Sequence, residues 1–298
     1  TDGDKYKYYD SDADKNDYSW FVKAAYNFGS GWNAFADMQM RIVDYTTDGV
    51  NDKFIKGKKD GRKFYTQQQL NIDETYVFYN PKAGISYTRG GHKAYASVAY
   101  ANREPERNNF TDNSSAALPK AEHLFDTELG YQYRTANWYA SANLYYMRYI
   151  NQFVMTGAKS DIGEAITSNI KNSYRLGAEL SAGWSPLQWL SLEGNAALSQ
   201  NKLKNFTEEV EAWDTEAVHN TYAKSTLSYS PSAILNGFVD VHFGGFSATW
   251  HTNFVSRQYL DNTESSERSI PSYSQTDLAF NYTSKVSKAL GIDRKSVV

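Results

Sequence analysis

The chain has 298 residues, a formal net charge of -3 and 22% charged residues, with a mean hydropathy of -0.66. These values exclude a helical membrane protein, because no run approaches the roughly 18–20 apolar residues that a spanning helix requires. The slight negative charge and the absence of a basic tract argue against a nucleic-acid partner. The lack of cysteine is compatible with an oxidising compartment.

The dominant pattern is an alternation of apolar and polar residues with a period of two. It is clearest between Trp32 and Ile42, where every even position is apolar and the odd positions include Asn33, Asp37 and Gln39. Successive side chains of a strand point to opposite faces, so this period predicts strands with one apolar and one polar face. About eleven such segments occur along the chain.

In chain order, five short turns alternate with five long polar loops. The first strands are predicted at 18–28, 32–44 and 77–88, with a loop of about thirty residues before the third, and the last strand is predicted at 273–282. Pro81 falls near the start of the third strand, where we expect a bulge or a late start. The five short turns are predicted at Gly29-Ser30-Gly31, Gly90-Gly91, Arg134–Asn137, Ser185-Pro186 and Gly244-Gly245.

A soluble sandwich shares the period of two, so the alternation alone leaves the environment open. Three further features indicate a membrane: strands near ten residues, short turns on one side opposite long loops, and aromatic residues beside the turns. The fold class predicted is all-β, an antiparallel transmembrane β-barrel with short periplasmic turns and long extracellular loops. The aromatic residues beside the turns are Tyr26, Phe28 and Trp32; Tyr131, Tyr133 and Trp138; Trp184 and Trp189; and Phe243 and Phe246.

Several segments resemble the C-terminal barrel half of TonB-dependent outer-membrane receptors, particularly those of Bacteroidetes-like bacteria. Each motif is loose, but their order and spacing match over nearly the whole chain. The segments are Asn80–Tyr87, Leu118–Glu122 followed by Glu128–Tyr131, Asn172–Glu179, and Ile270–Leu278.

The resemblance implies a barrel of roughly 22 strands around a plug, of which this chain supplies about 11. We therefore expect a polar extracellular loop remnant at 1–16, a partial barrel at 17–290 and a truncated end at 291–298, with the plug domain absent. It further implies the bacterial outer membrane as location and outer-membrane lipid as a partner. Energy would come from the TonB-ExbB-ExbD complex through the missing plug region.

The implied activity is uptake of a scarce nutrient, with a ferric siderophore or similar iron chelate as the leading ligand. Cobalamin, haem and oligosaccharide are alternatives within the same fold, and no cofactor is expected. Four arginines fall on the polar face at loop-side strand ends and are candidates for binding an anionic chelate: Arg41, Arg103, Arg175 and Arg257. The alternative interpretation, which we favour, pairs them with lumen carboxylates such as Asp37, Glu128, Glu179 and Glu193.

Two other classes share the strand pattern, namely a passive porin and a barrel-embedded hydrolase. The compact Asp240–His242 pair is the best acid–base candidate, but it lies beside a short turn, at the end opposite the long loops. The other histidines show no metal-ligand spacing. The sequence therefore predicts a transport protein that is not an enzyme.

Overall fold

The computed structural model describes residues 7, 9–59, 62–112, 118–159, 163, 165–210 and 218–283. Antiparallel strands dominate, and among the described residues no helix is long and apolar enough to cross a membrane. One five-residue helix, α1 (Arg107–Thr111), lies between β4 and β5. The strands are β1 (Asp10–Gly29), β2 (Trp32–Lys59), β3 (Arg62–Arg89), β4 (His92–Arg103), β5 (Glu122–Arg134), β6 (Trp138–Lys159), β7 (Ala165–Leu187), β8 (Leu190–Val210), β9 (Val218–Thr226), β10 (Ala233–Phe243), β11 (Phe246–Val255), β12 (Gln258–Tyr259), β13 (Ser269–Ile270) and β14 (Tyr273–Tyr282).

The main sheet runs in the order β1-β2-β3-β4-β5-β6-β7-β8-β10-β11-β14, and β9 pairs only with the loop-side end of β8. Eleven strands thus form the main path, as the sequence predicts. Every neighbouring pair is antiparallel, so an odd number of strands leaves β1 and β14 running in the same direction. Within the described residues, β1 pairs only with β2 and β14 only with β11.

The short turns lie where the sequence predicts them, with one small shift. In the β7–β8 hairpin, β7 ends at Leu187 and β8 begins at Leu190. Ser185-Pro186 therefore falls in a register irregularity just before the turn. Gly31 has φ +92°, and a Cβ there would lie 2.3 Å from the carbonyl oxygen of Thr88. Glycine is required at this turn because any side chain would displace the neighbouring strand.

Aromatic side chains contact one another in pairs beside these turns. Trp32 stands 4.9 Å from Tyr87 between ring centroids, and Trp189 stands 5.0 Å from Phe243. Tyr133 and Trp138 are 5.1 Å apart across the β5–β6 turn. The short-turn end therefore carries the aromatic belt that the sequence predicts.

Strand register joins the apolar positions of neighbouring strands into continuous rows. Ala36 pairs with Ala83, which pairs with Val98, while on the other face Asp37 pairs with Lys82. The apolar side chains stay outward and uncovered, as a lipid-facing surface requires. Those exposed between 43% and 70% include Trp20, Val22, Leu129, Leu144, Leu176, Leu180, Leu198, Trp250 and Leu278.

The prediction of a thirty-residue loop between the second and third strands is wrong. β2 and β3 continue as a ladder from Trp32–Tyr87 up to Lys59–Arg62, with one irregularity between Val50 and Phe54. The apolar alternation that marks a spanning strand is lost there, because the buried face of this hairpin includes polar side chains such as Thr47, Asn51 and Gln68. Mutual pairing still satisfies its backbone hydrogen bonds.

The bulge expected at Pro81 is absent, and the late start expected there applies only to the pairing of β3 with β4. Pro81 pairs in register with Met38 of β2, whereas the β3–β4 ladder stops one residue later, at the Lys82–Ala99 pair. Beyond that point the side chain of Asn80 accepts a hydrogen bond from the Asn102 backbone N–H at 3.0 Å. Proline, which has no N–H to donate, thus marks the place where β3 separates from β4.

The strand limits modify the predicted segment boundaries at the start of the chain. β1 begins at Asp10, so part of the 1–16 segment expected to be loop is paired strand, running opposite Val50 to Asp44 of β2. The predicted truncated end, 291–298, lies outside the described residues.

Buried side chains are concentrated in the loop-side part of the sheet. One group, the β2–β3 cluster, consists of Tyr45, Leu70, Ile72 and Phe110. A second group, the β6–β8 cluster, consists of Val154, Ile170, Leu203 and Phe206. The spanning part of the sheet is one layer thick, so packed cores form only where the strand extensions and loops meet.

The two faces of the sheet generate a first prediction. Replacing Ala36 or Leu180 with Arg places a cation on the apolar face and is expected to cost about 2–4 kcal/mol near the membrane midplane. The amount of folded, heat-modifiable barrel recovered from the outer membrane of cells producing the full-length protein measures this effect.

Matched controls lie close by on the polar face, namely Gln39→Arg on β2 and Ser181→Arg on β7. Ser181 hydrogen-bonds to Ser141 at 2.6 Å, so a small loss is expected at that position. Equal losses for the apolar-face and polar-face variants would contradict the assignment of the faces.

Candidate functional site

The polar face carries an open cavity of about 460 Å³ over β4 to β8. Its side chains are joined by hydrogen bonds: the Tyr95 hydroxyl donates to Asn143 at 3.0 Å, and the Asn143 amide donates to Glu179 at 3.4 Å. Such a surface is hydrated and supplies both donors and acceptors to whatever lies against it.

Tyrosines on this face lie flat over glycines of the neighbouring strand. Tyr95 pairs with Gly130 and Tyr145 with Gly177. A Cβ at Gly130 would lie 2.0 Å from a carbon of the Tyr95 ring, and one at Gly177 would lie 2.4 Å from the Tyr145 hydroxyl oxygen. The rings are held down against the sheet instead of extending into the lumen. Sequence reasoning missed these contacts, although a glycine opposite a tyrosine in register is the signal for them.

Arg41, which lies in the first half of β2 and not at its loop-side end, is the centre of an ion-pair network. Its Nη2 atom lies 2.6 Å from Asp17 Oδ2 and 3.2 Å from Glu104 Oε1, and Lys15 Nζ lies 2.7 Å from the same Glu104 oxygen. The Glu104 side chain is only 10% exposed. Burial by itself raises the pKa of Glu104, but the hydrogen bonds from Lys15 and Arg41 outweigh burial and hold that pKa below its usual value.

Arg103 also has carboxylate partners. Its Nη2 atom lies 3.1 Å from Glu122 Oε2, and Nη1 lies 4.0 Å from Glu106 Oε1. The Glu122 carboxylate also accepts the backbone N–H of Phe153 at 2.9 Å, which ties this pair to β6. With half of its side chain exposed, Arg103 is the more solvent-screened of the two paired arginines.

Arg175 has no carboxylate partner among the ion pairs of the described residues. Its guanidinium carbon lies 5.5 Å from the ring centroid of Tyr149, and its Nε is buried with no hydrogen-bond partner. Asp126 Oδ1 is likewise buried and unpartnered, and the register places Asp126 and Arg175 on either side of Met147 in one row. Two strand spacings separate these opposite charges by roughly 10 Å.

Arg257 is exposed between β11 and β12, and no ion pair within the described ranges involves it. The four candidate arginines therefore stand on β2, β4 and β7 and after β11, spaced around the polar face and not gathered at one point. The pairing interpretation holds for Arg41 and Arg103, but with carboxylates other than those expected. A role in ligand binding stays a prediction for all four.

The expected carboxylates have other neighbours. Asp37 faces Lys23 at 3.8 Å, and Glu179 accepts from Asn143. Asp240 accepts a hydrogen bond from the Thr249 hydroxyl at 2.5 Å, so its described partner is a threonine on β11 and not His242. Among the described residues, no group of three or more His, Asp or Glu side chains could hold a metal ion.

The connection from β11 to β14 folds across the loop-side ends of β6 to β9. Asn262 is 1% exposed; it accepts from the Ser228 backbone N–H and donates to the Met155 carbonyl oxygen, both at 2.8 Å. Arg268 lies 3.0 Å from Glu208, which is 5% exposed, and Lys202 pairs with Glu264. These contacts order the mouth, and no local pattern in the sequence predicts them.

The electrostatics of this mouth lead to a pH prediction. The folded-state pKa of Glu104 lies below its ordinary value of 4.5, so this group stabilises the fold above about pH 4.5. That stabilisation is lost as the pH falls through the depressed folded-state pKa. Protection factors for hydrogen exchange across residues 104–112, which correct for the slower intrinsic exchange in acid, should therefore fall on acidification from neutral pH to about pH 3.

The matched variants for this measurement are Glu104→Gln and Glu106→Gln. Glu104→Gln should speed exchange already at neutral pH and flatten the pH dependence of this segment. Glu106 is the N-cap of α1 and its side chain is 73% exposed; because Gln keeps a side-chain oxygen at this cap, its replacement should leave the exchange profile nearly unchanged. An unaltered acid response in Glu104→Gln would show that another group controls the segment.

Solved structures of transport proteins share this fold. The copper transporter OprC is 13% identical, with a TM-score of 0.69 over 91% of this chain and 40% of its own. The ferric yersiniabactin uptake receptor FyuA from Yersinia pestis is 15% identical, with a TM-score of 0.62 over 91% and 39%. The siderophore receptor PiuA from Acinetobacter baumannii is 14% identical, with a TM-score of 0.67 over 94% and 38%.

The chain spans about two-fifths of the length of these proteins. They are transporters or receptors and not enzymes. No curated protein sequence matched the chain. A family model described as TonB dependent receptor-like, beta-barrel, matches residues 1–293. The chain belongs to the TonB-dependent receptor β-barrel family.

Proposed function

We propose that this chain forms part of the barrel of a bacterial outer-membrane receptor that takes up a scarce nutrient by energy-coupled transport. The observation that carries the proposal is the family match over residues 1–293. It agrees with the one-layer sheet, whose apolar face is uncovered. The same match favours a receptor over the passive porin and the barrel-embedded hydrolase that alternation alone leaves open.

The rest of such a receptor would come from parts of the protein outside this chain. Because the chain spans about two-fifths of the matched structures, we propose that further strands complete the barrel beside β1 and β14. A plug region would fill the lumen and contact the TonB-ExbB-ExbD complex, which supplies the energy. The hydrogen-bonded polar surface from Tyr95 to Glu179 would then face the plug or the ligand path.

A ferric siderophore or similar iron chelate is the ligand class that we favour. Several matched structures are named as receptors or transporters for such ligands, including a ferric-catecholate import receptor from E. coli. An anionic chelate can form charge-assisted hydrogen bonds with arginines that are not already paired with a carboxylate. Among the four candidates, these are Arg175 and Arg257. Arg41 and Arg103 would instead hold the mouth in shape through their ion pairs.

Binding measurements on the full-length receptor test the ligand class. Ferric siderophores, haem, cobalamin and oligosaccharides are titrated in turn, with tryptophan fluorescence as the signal. Arg175→Gln and Arg257→Gln should each weaken binding of a ferric chelate roughly tenfold to hundredfold, since each removes a charge-assisted hydrogen bond.

Arg134→Gln provides the control. Arg134 lies at the short-turn end, 4.5 Å from the Tyr139 ring, so it resembles Arg175 in its contact but is far from the mouth. Its replacement should leave affinity unchanged. Tight binding of haem, cobalamin or a glycan with no binding of ferric chelates would reject the iron assignment and leave the receptor class standing.

A further inference from the structure

The apolar face ends at a group of cations on β6, β8 and β9. Ladder register places Tyr146 beside Leu176 in the last largely apolar row of this region. Arg148 lies in the next row towards the loops, opposite Tyr174. One row further, Asn172 pairs with Lys204, which pairs with Lys224. We call Arg148, Lys204 and Lys224 the outer basic patch.

Tyr174 lies at the centre of this patch. Lys204 Nζ and Lys224 Nζ stand 5.8 Å and 5.7 Å from its ring centroid, and its register partners are Arg148 on β6 and Lys202 on β8. The Tyr174 hydroxyl donates to Gln200 at 2.6 Å, which fixes the ring. Three like charges thus surround one aromatic side chain, and their mutual repulsion favours a bound anion.

Among the described residues, the carboxylate of Glu264 lies beside the outer basic patch but pairs with Lys202 and not with a member of the patch. Lys202, two residues before Lys204, is neutralised by Glu264, and Arg268 is neutralised by Glu208 and Asp261. No ion pair within the described ranges includes a member of the patch. All three patch residues are exposed, and Arg148 and Lys204 line an open cavity of about 250 Å³ together with Tyr146, Asn172 and Tyr174.

We propose that the outer basic patch binds the phosphate of an anionic lipid in the loop-side leaflet. The inference rests on the proposed function, because it needs the apolar face to meet acyl chains. The patch continues that face at the height where headgroups begin, so a phosphate beside Tyr174 would leave its acyl chains over Leu176 and Leu144. Guanidinium and ammonium groups suit phosphate oxygens, and each cation near a membrane surface strengthens such binding several-fold.

The test is a titration of the detergent-solubilised full-length receptor with fluorescent phosphatidic acid and, separately, with phosphatidylcholine of the same acyl chains. The wild type should bind phosphatidic acid more tightly. The triple variant Arg148→Gln, Lys204→Gln, Lys224→Gln should weaken phosphatidic acid binding about tenfold or more and leave phosphatidylcholine binding unchanged. A heat-modifiable gel shift confirms that each variant is folded.

A second triple variant removes equal charge from the polar face, namely Lys23→Gln, Lys93→Gln and Arg134→Gln, and should bind phosphatidic acid as the wild type does. Inorganic phosphate should compete poorly, because it has no acyl chains; complete displacement would show a site for free anions and overturn the proposal. Unchanged lipid affinity in the patch variant would also overturn it. Binding of the nutrient ligand is measured separately, so failure of the lipid site is distinguishable from failure of the receptor assignment.

Discussion

The register between antiparallel neighbours is the constraint on which the rest of this structure depends. Across the spanning part the sheet is a single layer, so backbone hydrogen bonds, not a packed core, hold one strand to the next. A slip of one residue would turn every side chain of a strand to the opposite face. The pairing of Ala36 with Ala83 and of Asp37 with Lys82 keeps the apolar and polar rows apart across the sheet.

The two ends of the sheet are stabilised by different interactions. At the short turns, glycines such as Gly31 allow tight reversals and aromatic pairs flank them. At the loop side, strands continue beyond the apolar band and need side-chain packing, which the two buried clusters supply. Asn151 and Asn205 adopt positive φ values of 55° and 54° there. Beyond Asn205 the buried positions of β8 change from odd to even, as Leu203 and Phe206 show.

Charge is arranged differently on the two faces at the loop side. On the polar face, Arg41 and Arg103 are compensated by carboxylates from segments distant in sequence, which stiffens the mouth. On the outer face, Arg148, Lys204 and Lys224 have no such compensation among the described residues. The contrast is one of partners, since carboxylates reach Arg41 and Arg103, whereas beside Tyr174 the carboxylate of Glu264 pairs with Lys202 and leaves these three cations unpaired.

The sequence by itself determined the number of spanning strands, their turns and their faces. These are local properties, because alternation along Trp32–Ile42 follows from the geometry of one extended strand, and glycine pairs mark reversals. Only the tertiary structure decided the length of the β2–β3 hairpin, whose polar residues carry no periodic signal. It also decided the partners of Arg41, since Glu104 lies 63 residues away and reaches it only through the pairing of β2, β3 and β4. The cations around Tyr174 likewise come from three strands, and register alone brings them together.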